Sequence, residues 1–114
     1  MLTTKQKGLL EHIITHCETI KKKTELLTLE QLSQDEDIKQ IICFNILQIG
    51  ELVGHLDESF LTQYSEMPWG DMRGMRNRVV HGYDTIDINE VWITATKDIT
   101  PLLNYCNQLL QEDK

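Results

Sequence analysis

The chain has 114 residues, of which 40% are hydrophobic and 25% are charged, and its formal net charge is -7 at pH 7. This length and composition fit one globular domain over residues 1–114 and exclude a fibrous repeat or wholesale disorder. The acidic balance argues against a broad electrostatic surface for long nucleic acids, so any contact with RNA must be local.

Two further features indicate where the protein works. No run reaches the roughly 18 apolar residues that a membrane span needs, and the N-terminus lacks the apolar stretch of a signal peptide. Cys17, Cys43 and Cys106 lie far apart among apolar neighbours, without a CxxC pair. We therefore expect a cytoplasmic protein, without membrane contact, whose thiols are reduced core residues.

The first half of the chain predicts two long helices. Apolar residues recur every three or four positions from Lys5 to about Lys23, as in an amphipathic helix. Capping-box spacings at Thr28–Gln31 and Ser33–Glu36 predict a short turn before a second helix, which runs from about Glu36 to Leu56. That helix is apolar on most sides and must be buried either centrally in a bundle or against a second subunit, and in so short a chain we favour a dimer interface. Gly50 within it predicts a close helix crossing.

Shorter helical segments follow. Asp57 can cap a short helix, and the segment from Pro68 to His81 predicts another. Gly82 stands where helices commonly end in a left-handed residue. His81 is therefore expected in the last helical turn, with Tyr83 just beyond it.

The last helix completes the predicted fold. Asp87 and Glu90 have a capping-box spacing that starts a helix near Ile88, and Pro101 should kink or break that helix near Asp98. No segment shows the period of two that marks a strand. The sequence predicts an all-α fold, an antiparallel bundle of four to five helices with a kinked last helix.

The segment 75–83 concentrates polar chemistry at one helix end. The chain's only arginines are Arg73, Arg76 and Arg78, and His81 and Tyr83 follow them. Phosphodiester cleavage beside a 2'-hydroxyl needs a group that transfers protons near neutral pH and a positive charge on the transition state. His81 and Arg76 can supply these two needs, and a dimer would let one His81 act as base and the other as acid.

A plain structural interpretation stands beside this one. Arg76 and Arg78 can be solvated helix charges, and His81 can be an ordinary helix C-cap, although the carbonyl groups at a helix end favour protonated histidine, which would suit a general acid. The spacing of the residues alone leaves both interpretations open.

A family resemblance favours the catalytic interpretation. Arg76, the four residues after it, His81, Gly82 and Tyr83 match the Arg-x4-His-x-Tyr motif of the HEPN superfamily, in its HepT-like toxin branch. The resemblance extends to further runs, so that it covers roughly residues 5–110: Pro68-Trp69, Gly74 to Arg78, Asn45 to Glu51, and Ile99 to Leu102.

The resemblance implies a homodimeric helical bundle with metal-independent endoribonuclease activity and no cofactor. Arg76 and His81 would cleave RNA to leave a cyclic phosphate end. Asn77 falls at the polar position that often follows the motif arginine, and we carry it over as a supporting residue. The family's toxins are typically encoded beside a minimal nucleotidyltransferase antitoxin, which silences them by attaching AMP to the motif tyrosine. Here that target would be Tyr83. Whether the dimer joins a larger hetero-oligomer with this antitoxin is left open by the sequence.

Other polar residues have simpler interpretations. Glu51 lies in a mostly apolar helix and needs a partner if it is buried, which Arg76 or Arg73 could provide, either as a structural ion pair or to orient the catalytic arginine. His12 and His16 have the spacing of metal ligands but lack a third ligand, so we interpret them as solvated and expect no metal site.

Two rival functions stay open. The same fold could bind or activate a nucleotidyltransferase without cutting RNA, or it could be a purely structural dimerisation bundle. The three hypotheses differ in cleavage, because only a ribonuclease requires His81 to take part in RNA turnover.

Overall fold

A computed structural model describes residues 1–80 and 87–113, with the backbone alone described at positions 78 and 80. All regular structure in those ranges is helical, which confirms the all-α prediction. None of these helices combines the length and apolar character that a bilayer span requires. The helices are α1 (Thr4–Thr24), α2 (Leu29–Gln34), α3 (Glu36–Gly54), α4 (Glu58–Gln63), α5 (Trp69–Arg73), α6 (Met75–Val80), α7 (Ile88–Ile93) and α8 (Ile99–Glu112), with a π-helical segment at Thr94–Asp98.

Helix α1 lies within one residue of its predicted bounds and forms one wall of the core. The Thr3 hydroxyl accepts a hydrogen bond from the Gln6 backbone nitrogen at 3.0 Å, and the Gln6 side chain accepts one from the Thr3 nitrogen at 2.9 Å. This reciprocal pair satisfies two amide groups that a helix start otherwise leaves without partners. The helix packs on α3 and α8 through one buried face, formed by Leu10, Ile13, Cys17 and Ile20.

The two capping boxes predicted ahead of α3 have different outcomes. Thr28 and Gln31 form the predicted box at the start of α2. The prediction for Ser33 is wrong, because its hydroxyl donates to a carbonyl inside α2 at 2.7 Å. Helix α2 is longer than the predicted turn, so Asp35 is the extended residue between the two helices, and its carboxylate caps α3 at 3.0 Å.

Helix α3 is the central helix of the bundle. It contacts α1, α2, α5 and α6, which largely satisfies the wide apolar surface that the sequence predicts for it. Gly50 is buried in this helix, and a Cβ atom added there would lie 2.9 Å from the backbone nitrogen of Arg76. The predicted close crossing is therefore confirmed. The buried apolar side chains of α3 are Ile42, Cys43, Ile46, Ile49 and Val53.

The segment predicted as one helix from Pro68 to His81 is divided in the described part of the chain. Helices α5 and α6 meet at Gly74, whose carbonyl accepts a hydrogen bond from the Asn77 backbone nitrogen, three residues on, at 3.0 Å. Glycine weakens a continuous helix by about 1 kcal/mol relative to alanine, which favours a break at this position. The predicted end of the segment lies outside the described residues, at His81, Gly82 and Tyr83.

Aspartate caps start the short helices, as the sequence predicts. The Asp57 carboxylate accepts a hydrogen bond from the Phe60 nitrogen at 2.9 Å, and α4 follows. The Asp87 carboxylate accepts one from the Asn89 nitrogen at 3.0 Å, and α7 begins at Ile88. Local sequence fixes these starts because the capping bonds span only two or three residues.

The predicted kink in the C-terminal helix is confirmed as a π-helical segment between α7 and α8. Pro101 has no amide hydrogen, so it cannot bond to the carbonyl of Lys97, and its ring crowds the preceding turn. A wider π turn just before the proline accommodates both effects. Helix α8 then packs against α1 through Ile99, Leu102, Leu103, Cys106 and Leu109.

Asp113 joins the two ends of the described chain. Its Oδ1 atom accepts a hydrogen bond from the Leu2 backbone nitrogen at 2.8 Å, and its Oδ2 atom lies 3.2 Å from Nζ of Lys7. The hydrogen bond from Leu2 lowers the pKa of the Asp113 carboxyl, and the Lys7 charge acts in the same direction. The contact holds Leu2 in the core.

Because this pKa is lowered, the ionised Asp113 stabilises the fold above the ordinary carboxyl pKa of about 3.9 and loses that effect as the pH falls through the lower folded-state pKa. We expect Asp113→Asn to lower Tm at neutral pH, and the difference from the parent to shrink below about pH 4. Thermal unfolding followed by circular dichroism checks this. Glu112→Gln, at the exposed neighbouring acid, is the control, and an equal loss in both variants would contradict the prediction.

Candidate active site

Arg76 is the second residue of α6, where this helix crosses α3. Its Nε atom lies 3.0 Å from Oε1 of Glu51. The two side chains are 48% and 43% exposed, so the ion pair lies at the protein surface. Of the two arginines predicted as partners of Glu51, the structure pairs it with Arg76 and not with Arg73.

Arg73 and Asn77, the other supporting residues predicted for the site, are both exposed. Arg73 ends α5, and Asn77 follows Arg76 in α6. Within the described ranges, neither side chain has a hydrogen bond or an ion pair. The structure therefore brings Glu51 to Arg76 and leaves Arg73 and Asn77 as solvated polar groups beside that pair.

Part of the predicted motif lies outside the described residues. His81 and Tyr83 are in that part, and the side chain of Arg78 is likewise not described. The roles of His81 and Tyr83 stay predictions from the sequence.

A polar contact that the sequence analysis missed joins α1 to α3. Nδ1 of His16 lies 2.7 Å from Oδ1 of Asn45, and the Asn45 amide group donates to the Ile41 carbonyl at 2.7 Å. Because Asn45 presents its oxygen to the ring, Nδ1 of His16 is the hydrogen-bond donor. Asn45 is only 7% exposed.

This contact corrects one prediction. His12 is exposed as expected, but His16 is partly buried and hydrogen-bonded, so it is a structural residue of the helix interface and not a solvated one. The available signal was an asparagine in the middle of an apolar helix, because a buried amide needs a partner. Asn45 lies six residues before Glu51, about 9 Å along α3 and on a different face, so the two contacts are separate.

In the part of the chain that the structure describes, one stripe of α3 is partly exposed. Ile41 is 37% exposed and Phe44 is 54% exposed, whereas the other faces of the helix are mostly buried. Helical spacing continues this stripe through Gln48 to Glu51. We call Ile41, Phe44, Gln48 and Glu51 the α3 stripe. It is about 15 Å long and leads from exposed apolar surface directly to the partner of Arg76.

The cysteines do not offer a second reactive centre. All three thiols are free and buried. Burial raises the pKa of Cys106 to about 12 and raises the pKa values of Cys17 and Cys43. A cysteine reacts as its thiolate, so these residues serve packing, as the sequence predicts.

Comparison with protein families gives one match across most of the chain. The family described as Ribonuclease HepT-like matches residues 13–109. That range begins in α1 and ends near the end of α8, and it includes the crossing of α3 and α6 with Arg76 and Glu51.

Similar proteins are known from bacteria and archaea. A candidate RNase of Caldanaerobacter subterraneus subsp. tengcongensis is 29% identical over 92% of this chain and 94% of its own length. A candidate ribonuclease HepT of Thermococcus cleftensis is 28% identical over 84% and 87%, respectively. A candidate RNase of Methanocaldococcus jannaschii is 24% identical over 93% and 91%. No solved structure is significantly similar to the chain.

The exposure of the Arg76–Glu51 pair predicts that it contributes little to stability. Ion pairs at protein surfaces are worth about 0–1 kcal/mol, because water and salt screen them. We expect Arg76→Ala and Glu51→Gln each to change the free energy of unfolding by less than about 1 kcal/mol, as measured by urea titration. Met75→Ala is the control, because Met75 is fully buried beside Arg76 and should cost about 2–5 kcal/mol. A loss for Arg76→Ala as large as that of the control would contradict the prediction.

Proposed function

The chain belongs to the Ribonuclease HepT-like family, and from this we propose that it is an endoribonuclease and the toxin of a toxin–antitoxin pair. The observation that carries the proposal is an arginine held at the surface by Glu51, five residues before the histidine of the family motif. RNA cleavage by attack of the 2'-hydroxyl requires a positive charge on the transition state and a group that transfers protons near neutral pH. An arginine close to a histidine supplies both.

The proposed reaction needs no group beyond the RNA and the protein. The 2'-hydroxyl oxygen attacks the adjacent phosphorus while its proton passes to a base, and the bond from phosphorus to the 5'-oxygen breaks as that oxygen receives a proton. The products are a cyclic phosphate end and a 5'-hydroxyl end. We assign the proton transfers to His81, because imidazole titrates near neutral pH. We assign to Arg76 the stabilisation of the negative charge that develops on the phosphate oxygens.

Glu51 suits a supporting role in this reaction. The closest approach between the two side chains is at Nε, the inner nitrogen of the guanidinium. Arginine binds phosphate in a bidentate manner through two neighbouring N–H groups. The two terminal nitrogens carry such groups, so they can bind phosphate while Nε contacts Glu51. A contact at Nε restrains the side chain of Arg76, while its two terminal nitrogens can still bind an anion. Glu51 is thus proposed as a positioning residue for Arg76.

The charge distribution fits a short contact with RNA. The chain is acidic overall, at -7, but its three arginines fall within residues 73–78. Binding of long nucleic acids draws on many basic contacts spread over a surface, whereas cleavage of one phosphodiester needs a few at a single point. Arg73 and Asn77 lie beside Arg76 and are proposed to contact the neighbouring nucleotide.

The proposal predicts that expression of the chain alone arrests growth and fragments tRNA or mRNA. Arg76→Ala and His81→Ala should abolish both effects, with a loss of at least about a hundredfold in RNA cleavage by the purified proteins in the presence of a chelator. Lys39→Ala is the control, since it removes a cation that pairs with Glu36 and should keep full activity. Intact RNA with the folded parent protein would reject the ribonuclease and favour a non-catalytic partner of a nucleotidyltransferase.

We also propose that the active form is a homodimer that joins through the α3 stripe. The stripe is apolar at Ile41 and Phe44, although these side chains belong to the central helix of the bundle. A second copy is the proposed occupant because the stripe continues into the Arg76–Glu51 pair, so a partner seated on it borders the site. A symmetric contact of this kind pairs the same patch on both subunits and brings two motifs into one assembly.

The dimer proposal predicts that a charge on the stripe separates the subunits. Phe44→Lys should shift the protein from dimer to monomer in analytical ultracentrifugation and lower RNA cleavage at the same time, because a lysine cannot be buried against an apolar partner at low cost. Ile93→Lys is matched to it, since Ile93 is 49% exposed but lies on α7. A parent that is monomeric, or a Phe44→Lys variant that stays dimeric, would overturn this proposal.

Control by a nucleotidyltransferase antitoxin completes the proposed function. AMP attached to Tyr83 would place a bulky anion two residues from His81, where substrate phosphate is proposed to bind. Intact-mass analysis after co-expression with the antitoxin should show added AMP that is absent from Tyr83→Phe. Suppressed toxicity with unmodified Tyr83 would reject this route of control. The mass of the co-expressed complex in analytical ultracentrifugation shows whether the toxin dimer and the antitoxin form a larger hetero-oligomer.

A further inference from the structure

Position 50 is where the backbones of α3 and α6 come closest. A Cβ atom on Gly50 would lie 2.9 Å from the backbone nitrogen of Arg76, 3.1 Å from its Cβ atom and 3.2 Å from the Arg73 carbonyl oxygen. Two of these atoms belong to the backbone and the third is bonded to it, so none can rotate out of the way. Any larger residue at position 50 requires α3 and the start of α6 to move apart.

The same crossing carries the ion pair of the candidate active site. Glu51 is the next residue of α3, and its Oε1 atom is 3.0 Å from Nε of Arg76. The absence of a side chain at Gly50 therefore allows the position of the Arg76 backbone, and the carboxylate of Glu51 contacts the Arg76 side chain. A shift of α6 away from α3 changes both distances together.

We propose that Gly50 is a positioning residue for Arg76, which acts by allowing the α6 backbone to approach α3 closely enough for the guanidinium to meet Glu51. The inference rests on the proposed ribonuclease function, since it concerns the arginine of that site. It adds a residue that lies outside the Arg-x4-His-x-Tyr motif and has no side chain to contact RNA.

The size of the expected effect follows from the distances. Ordinary Cβ contacts begin near 3.4 Å, so an alanine at position 50 displaces the Arg76 backbone by about half an ångström. A misplacement of 1 Å in a catalytic group can lower a rate by about a hundredfold, so Gly50→Ala should lower kcat by roughly tenfold. The loss should appear in kcat more than in KM, because the phosphate charge that Arg76 meets is greatest in the transition state.

Gly54 provides a matched control on the same helix. A Cβ atom there meets nothing within 4 Å, so Gly54→Ala makes the same chemical change without a contact and should keep the parental kcat. Ile13→Val is a second control, because it destabilises the buried face of α1 without entering the site. It should keep the parental kcat when assayed well below its Tm, which separates a displaced arginine from a general loss of stability.

A second readout does not depend on RNA. The Nε–H signal of Arg76 in a ¹H–¹⁵N spectrum reports its environment beside Glu51, and Glu51→Gln identifies the shift that follows when the charge is removed. We expect Gly50→Ala to move this signal toward its position in Glu51→Gln, and Gly54→Ala to leave it unchanged. If Gly50→Ala folds poorly, Gly8→Ala supplies a stabilising background, since Gly8 lies in α1 with nothing within 4 Å of its added Cβ.

The two readouts separate the two proposals. A parent that does not cut RNA rejects the proposed function, and the Nε–H signal alone then decides whether Gly50 positions Arg76. A parent that cuts RNA, together with a Gly50→Ala variant that keeps its kcat or its Nε–H signal, overturns the role of Gly50 and leaves the ribonuclease intact.

Discussion

The close contact of α3 with α6 at Gly50 is the constraint on which the candidate site depends. With no side chain at this position, the Arg76 backbone nitrogen approaches to a distance that a Cβ atom would not tolerate. The approach places Arg76 against the turn of α3 that carries Glu51, and the two side chains meet at 3.0 Å. Helix α6 is too short for propensity to hold it in place, so its position depends on packing against the central helix.

The Arg76–Glu51 ion pair is exposed, so it can serve the candidate site although it contributes little to stability. A pair that is about half exposed contributes little to the folding free energy, because water competes for both groups. The same exposure lets an external anion reach the guanidinium. The stability of the bundle comes instead from the buried faces of α1, α3 and α8, which can support the site without taking part in it.

Local patterns in the sequence predict most of the fold, whereas contacts between distant residues are less accessible. The starts at Asp57 and Asp87 and the kink before Pro101 are encoded within a few residues. The pairing of Glu51 with an arginine was predicted, but the choice of Arg76 over Arg73 required the crossing geometry. The contact between His16 and Asn45 joins residues 29 positions apart, so no spacing rule indicates it. Local rules also failed at Ser33, because the end of α2 decides which residue caps α3.

Helix α3 takes part in three kinds of contact or surface, which together account for its unusual composition. Its buried side chains fill the core, Gly50 accommodates α6, and the α3 stripe carries Ile41 and Phe44 at the surface. Core packing explains only part of the apolar character of the stripe, because Ile41 is 37% exposed and Phe44 is 54% exposed. The stripe ends at Glu51, so the surface proposed for a second subunit and the residue that contacts Arg76 lie on the same helix. Under that proposal, a second copy seated on the stripe would act on the helix that carries the partner of Arg76.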